Sequence, residues 1–366
     1  MVISILIACS TSEDIISVEE LTSASTADAS GQPDPSEEPD LDTEDDPDFE
    51  GEFPADEEEE ERSFDPDACD EGVAASIGER TYGGLQAALD ALGPNDEAVW
   101  VCPGVHTGPF YITANYEVVV LGAGDKPDET ILTTTVSNVL NVFAWRGGQQ
   151  GEPGRFFARN LTVMGGSAEQ GGGISAAAQE VHLQDVIIRG GNATQGGGLY
   201  VDGGAVGVLL DSVEFYDNDA VRGGGFYIGG SEEVNHLEFR QVGFYENAAT
   251  DAGGAAYFAN GDVDGTFVGV YARGNSAPIG AAYRFGGSDE AAYAHFGMIG
   301  GGVHTNVSES GAIDAYGTAT VVVEDVDFGS GTDDNEGFDV GGCNGDFGPG
   351  SSFVYWPDGG IYCEDE

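Results

Sequence analysis

Seven times along the chain an apolar residue is followed, three and five positions later, by two more. The triplets are Ala158/Leu161/Val163, Leu183/Val186/Ile188, Leu210/Val213/Phe215, Phe239/Val242/Phe244, Phe267/Val270/Ala272, Tyr293/Phe296/Met298 and Val323/Val326/Phe328. Their first members are 25, 27, 29, 28, 26 and 30 residues apart. No 3.6-residue period runs inside a unit, so these are not helical repeats. The last two apolar positions alternate with a polar or small residue, as on a strand with one buried face. A short strand unit cannot bury that face alone, so units at a fixed period must stack. The pattern therefore predicts an all-β fold, a right-handed parallel β-helix running from about Thr81 to about Val340.

Two further rows share the period. Gly-rich corners precede short apolar strands at Gly171-Gly172-Gly173-Ile174, Gly196-Gly197-Gly198-Leu199-Tyr200-Val201, Gly223-Gly224-Gly225-Phe226-Tyr227-Ile228, Gly253-Gly254-Ala255-Ala256-Tyr257-Phe258 and Gly280-Ala281-Ala282-Tyr283. Glycine supplies the positive-φ bend at a coil corner. Leu199 and Val201 are expected to point inward and Tyr200 outward, so that Tyr200, Tyr227, Tyr257 and Tyr283 form an outward row. The third row is Asn192, Asn218, Asn247 and Asn275. Asparagine tolerates a left-handed bend, and stacked carboxamides hydrogen-bond up the pile.

Ahead of the repeats, Leu85, Leu89 and Leu92 fall on one face of a short helix, with Thr81 as the expected N-cap and Gly93-Pro94 as the stop. The helix, the strand Ala98–Val101, "CPGVHTGPFYI" and the strand leading into "LGAG" resemble the opening of pectin-lyase-like β-helix proteins. That resemblance implies a helix capping the first coil, which protects an open sheet edge. The G-G-[GA]-apolar and "FYDN"/"FYEN" units, over roughly residues 160 to 290, are similar to the repeats of polymorphic outer-membrane proteins. This second resemblance concerns architecture and not chemistry.

Composition changes the picture at the N-terminal side. The chain has 366 residues, 59 of them Gly, and a formal charge of −55. Between Ser10 and Ala68 lie 24 acidic residues against one base, Arg62, with Pro33, Pro35, Pro39, Pro47, Pro54 and Pro66 interspersed. So few apolar residues do not offset ordering entropy, and residues 10–68 are expected to form a disordered acidic tether. The remaining residues still carry a charge of −32. Lys126 is the only lysine. A chain this acidic repels nucleic acid and anionic membrane surfaces and suits a high-salt habitat.

Residues 1–9 end an apolar run in Leu6-Ile7-Ala8-Cys9. The run is too short to span a bilayer and reads as an export signal. It resembles the bacterial lipobox, which implies acylation of Cys9 and contact with membrane through a lipid anchor only. Ser10 after the cysteine implies, by the same resemblance, sorting to the outer membrane. No Lys or Arg precedes the apolar run, a departure from the usual signal.

With Cys9 set aside, Cys69, Cys102, Cys343 and Cys363 remain, two on each side of the repeats, in the expected domain 69–366. Export permits their oxidation. Three connectivities are possible, and the favoured pairing is Cys69–Cys102 with Cys343–Cys363.

Candidate chemistry is sparse. The five histidines show no metal-ligand spacing, and G-x-S-x-G is absent. Carboxylate pairs such as Asp211/Glu214 or Asp217/Glu246 are expected by chance in so acidic a chain. Asp333-x-Asn335-x-Gly337-x-Asp339 places oxygen ligands around a Gly, so Ca2+ is the one cofactor suggested. The residues that follow the last apolar member of four units are Arg189, Tyr216, Tyr245 and Arg273. Stacking would set them in one outward row about 15 Å long. The expectation is an exported, lipid-anchored surface protein with a structural, adhesion or glycan-binding role, its partner a glycan or a surface protein. The alternative is a polysaccharide lyase or glycoside hydrolase of the pectin-lyase-like class.

Overall fold

The computed structural model describes residues 66–144, 154–229, 235–259, 263–286, 293–315, 318–324, 326–329, 334–336, 352–355 and 361–364. The chain divides into two units, Met1–Glu60 and Glu61–Glu366, and every described residue belongs to the second. Residues 1–65, with Cys9, Ser10 and nearly all of the acidic segment, lie outside the described residues.

The second unit is a β-solenoid of about seven turns. Three sheets run along the solenoid, parallel from coil to coil, and the coils between Arg155 and Phe258 contribute to all three. One face starts with Val99–Val101, Gly104–Thr107, Val118–Gly122 and Thr130–Thr134 and continues through Arg155–Gly165, Glu180–Arg189, Gly207–Asp211 with Glu214–Tyr216, Asn235–Arg240 with Gly243–Tyr245, Val263–Arg273, Tyr293–His304 and Thr318–Glu324. A four-stranded face starts at Ser167–Gln170 and ends at Ala248–Ala252. An eight-stranded face runs from Phe110–Ala114 to Ile313–Ala315. These are called the first, second and third faces below.

Left-handed residues make the corners. Asn160, Asp185, Ser212, Gln241, Gly269 and Gly300 bend the first face in its middle. Gly165, Gly190, Asp217, Glu246, Gly274 and Thr305 end it. Gly171, Gly196, Gly223, Gly253 and Gly280 turn the chain into the third face, with φ between 56° and 67°. The last row must be glycine: a Cβ on Gly196 would stand 2.3 Å from the Leu199 carbonyl oxygen.

Six of the seven apolar triplets point inward and form one continuous core, in which Leu183, Val186, Ile188, Phe239, Val242 and Phe244 are fully buried. Aromatic ladders fill its later coils, with Phe239 on Phe267 at 4.6 Å and Phe215 on Phe244 at 4.8 Å between ring centroids. The sixth unit departs from the expected pattern. Phe267, Val270 and Ala272 pair with Met298, Gly301 and Val303, and not with Tyr293, Phe296 and Met298. The middle member is glycine because a Cβ at 301 would meet the Val270 carbonyl oxygen at 2.1 Å.

The asparagine row is present at Asn218, Asn247 and Asn275 as expected; Asn192 is not part of it, and it continues through Asn306 and Asn335. Asn218, Asn247, Asn275, Asn306 and Asn335 are all buried. Each of the first four donates its Nδ2 and backbone N–H to the Oδ1 of the next. Each also donates Nδ2 to a carbonyl of the preceding coil, as Asn247 does to Phe215 at 3.0 Å. Asn192 is exposed and lies in the second face; the Gly191 N–H donates to Asn218 Oδ1 instead.

Both ends of the first face carry antiparallel strands. Ala75–Ile77 pairs with Arg80–Tyr82 and with Val99–Val101. Cys69 and Cys102 form a disulfide at this end, with Cα atoms 5.5 Å apart. The helix, Leu85–Ala91, buries Leu85, Ala88 and Leu89. Its N-cap is Gly84 with no side-chain bond, and not Thr81, because Thr81 pairs with Ser76 inside the hairpin. At the other end Ser352–Tyr355 joins the sheet antiparallel at Val322↔Val354 and pairs with Ile361–Glu364. Cys343 lies outside the described residues, as does the side chain of Cys363.

Candidate functional site

Strand alternation fixes the site. Ile188, Phe215, Phe244 and Ala272 point into the core, so the next residue on each strand points out. Arg189 pairs with Tyr216, Tyr216 with Tyr245 and Tyr245 with Arg273 in direct register. Met164 and His304 extend the row at its two ends. The arginines are exposed and the tyrosines half-buried.

The two tyrosine rings stack with centroids 4.7 Å apart and planes 21° from parallel. One face of each ring is therefore turned to the other. Tyr245 leans back along its own strand over Gly243, where a Cβ would come within 2.3 Å of the ring. His304 does the same over Gly302, at 2.2 Å. Tyr271 is the register partner of Gly243 and is 48% exposed. Tyr271 and His304 belong to this surface and were not singled out by the sequence pattern, although strand alternation places both outward, Tyr271 two positions before Arg273 and His304 next to the buried Val303.

Burial, the Glu214 carboxylate and the neighbouring Tyr245 push the Tyr216 phenol up to about 12. Burial, Glu214 and Tyr271 also raise Tyr245, against the opposing pull of Arg273. Both phenols therefore stay protonated at neutral pH, each able to donate one hydrogen bond and accept others. Asp217 and Glu246, at the adjoining corner, are exposed. The strip is a mixed surface of hydroxyls, guanidinium groups and carboxylates.

The second tyrosine row differs from the expectation. Tyr200, Tyr227 and Tyr257 stack at 5.6 and 5.3 Å between centroids, outside the main core as expected. They are nonetheless buried, in a small apolar cluster of their own that includes Ala252. Gln195 donates to the Tyr227 hydroxyl at 3.0 Å, and the Arg222 guanidinium lies 5.8 Å from the Tyr257 ring centre. Tyr283 is not in this row. It pairs with Ala256 and is fully buried in the main core, while Arg284 takes the position above Tyr257 and forms an ion pair with Asp314.

The remaining candidates separate. Asn335 is the last rung of the asparagine ladder. Its Oδ1 accepts from the Asn306 N–H and Nδ2, and its own Nδ2 donates to the carbonyls of Val303 and Phe328. The oxygen expected to hold calcium is thus already committed to two donors inside the coil. Asp333 and Asp339 lie outside the described residues. Asp211 and Glu214 fall on opposite sides of the Ser212 corner. Among the described residues no helix is long and apolar enough to cross a membrane.

Fold and surface define the class: a parallel β-helix protein with an outward tyrosine–arginine strip on its first face. No protein-family model, curated protein or solved structure matches the chain.

Proposed function

We propose that this is an exported surface protein, anchored through a lipid on Cys9, whose β-helix binds an uncharged, hydroxyl-rich glycan along the strip Arg189–Tyr216–Tyr245–Arg273. The observation that carries the reading is the stack of Tyr216 on Tyr245 with an arginine in register on either side. Successive strands lie about 4.8 Å apart, so the strip offers a polar group at each step over roughly 15 Å. Phenol hydroxyls, guanidinium donors and the Glu214 carboxylate suit the alternating donors and acceptors of sugar hydroxyls. The charge of −55 disfavours a polyanionic ligand, which the whole-molecule field would repel.

A glycan array probed with the full chain carrying Cys9→Ala tests this. Binding to uncharged oligosaccharides, lost when Tyr216 and Tyr245 are both changed to Ala, is the expected result. Equal binding by that variant, or release of unsaturated or reducing products from the array, would replace this reading with another site or with an enzyme. The anchor has its own test: native protein should partition with membranes and the Cys9→Ala protein should not.

A further inference from the structure

The first face carries a second outward row in which metal-ligand chemistry converges. His236 pairs with Asp264 and Asp264 with His295, in direct register on three successive coils. The residues that follow them point inward, with Leu237 and Phe296 buried in the core. All three side chains therefore leave the same side of the sheet. His236 Nδ1 is 3.9 Å from Asp264 Oδ2, with the two side chains 40% and 49% exposed. The histidines are 59 residues apart in sequence. No spacing motif reveals them; only the coil register brings them to either side of one carboxylate.

We propose that His236, Asp264 and His295 form a two-histidine, one-carboxylate site for a divalent transition ion of the Zn2+ class. Strands about 4.8 Å apart put the two histidine Cβ atoms about 9.6 Å from each other. An ion bound at Nε2, with a Zn–N bond of about 2.0–2.1 Å, sits roughly 6 Å from the Cβ of its histidine. Two such arms on that base meet roughly 4 Å above its midpoint, at an angle close to tetrahedral. Asp264 stands at the midpoint, and its carboxylate with a Zn–O bond of about 2.0–2.2 Å spans that same height. The fourth position faces solvent and is open to water or to a ligand from outside.

Among the described residues no three His, Cys, Asp or Glu side chains already stand as a metal-holding group, so binding requires these side chains to turn toward one another. Gly297, two residues beyond His295, leaves room on the sheet surface for these side chains to turn. Glu238 beside His236 is held by Arg240 at 2.5 Å. A surface His236–Asp264 ion pair would account for two of these residues and leave the alignment of His295 unexplained. Imidazole ligands favour Zn2+ over Ca2+ or Mg2+, which take oxygen ligands.

The test is a Zn2+ titration of the full chain against a chromophoric chelator, with excess Ca2+ present to occupy scattered carboxylates. Wild type is expected to withdraw Zn2+ from the chelator, and His236→Ala, His295→Gln and Asp264→Asn should each weaken that binding at least tenfold. Metal-free melting temperatures should stay within a few degrees of wild type. Co2+ in place of Zn2+ should give tetrahedral visible bands that both histidine variants lose. The proposal is overturned if the His236→Ala/His295→Gln double variant binds Zn2+ as tightly as wild type. It is equally overturned if wild type fails to compete with the chelator. Should one variant melt early, the Co2+ spectrum of the other decides.

Discussion

Tyr216 and Tyr245 stand ring to ring on adjacent coils, 4.7 Å apart and 21° from parallel. The relationship determines what the strip can do. The two ring faces turned to each other cannot also stack on a sugar, so contact falls to the hydroxyls, the outer ring faces and the flanking arginines. Aromatic stacking of this kind contributes about 0.5–1.5 kcal/mol beyond area burial. The strip is therefore rigid before any ligand arrives, which lowers the ordering cost of binding.

Tyr283 carries a buried hydroxyl with no hydrogen-bond partner among the described residues. An unsatisfied buried polar group costs about 1–3 kcal/mol. Tyr283→Phe keeps the ring and removes the hydroxyl, so it should raise the urea midpoint by the equivalent of about 1 kcal/mol. A lower midpoint would mean that the hydroxyl has a partner.

The asparagine ladder gives a sharper contrast. Asn247→Ala removes the donor to the Phe215 carbonyl and the acceptor of the Asn218 N–H and Nδ2. Several buried groups lose their partners at once, at a cost of at least about 3 kcal/mol. Asn192→Ala, at an exposed position, should change stability by less than about 0.5 kcal/mol. Chemical denaturation of both variants checks the pair. Equal losses would restore the register expected from sequence.

Two neighbouring glycines separate steric from conformational strain. A Cβ on Gly301 would collide with backbone atoms of Val270, whereas one on Gly300 meets nothing within 4 Å and faces only a φ of +63°. Gly300→Ala should cost about 1–2 kcal/mol, the penalty of a left-handed residue. Gly301→Ala should cost more than about 3 kcal/mol, because backbone must shift. Thermal melts of the two variants give the order, and the reverse order would contradict the coil register at this point.

Alkaline stability follows from the buried tyrosines. Burial, then Asp202 and Tyr227, push the Tyr200 phenol up to about 12, against 10.0 for the free side chain. A phenol raised in the folded state contributes its full stabilisation below pH 10. That contribution is lost as pH rises through about 12, since the unfolded chain releases its proton first. Urea midpoints measured between pH 8 and 12 should fall, and Tyr200→Phe should fall less over the same range. Parallel curves would show that Tyr200 titrates as an exposed phenol.

Much of the fold was legible in the sequence because coil stacking repeats both the apolar triplet and the glycine corner. Leu183/Val186/Ile188 and Gly196 needed no tertiary information beyond the period. The pattern misled where the structure substitutes one residue type for another. At Gly301 a glycine occupies an apolar position, so the apolar pattern finds its match five residues earlier, from Tyr293. Asn192 matched the asparagine spacing, yet the Gly190 corner precedes Gly191, which donates a backbone N–H alone where later coils donate a backbone N–H and a side-chain amide. Tyr283 looked like Tyr257 because both follow a small-residue pair, but its strand is in register one residue earlier. The strip was visible as a row in sequence. Its ring orientation was not, since that depends on Gly243 lying beneath Tyr245.

The measurement closest to the central claim is calorimetric titration of the full chain with the uncharged oligosaccharide selected on the array, comparing wild type, Tyr245→Ala and Tyr111→Ala. Tyr111 is 48% exposed on the third face, remote in register from the strip. Tyr245→Ala should weaken binding at least tenfold while Tyr111→Ala leaves it unchanged, with both proteins melting near wild type. Equal affinity for wild type and Tyr245→Ala would contradict the assignment of glycan binding to the Arg189–Arg273 strip.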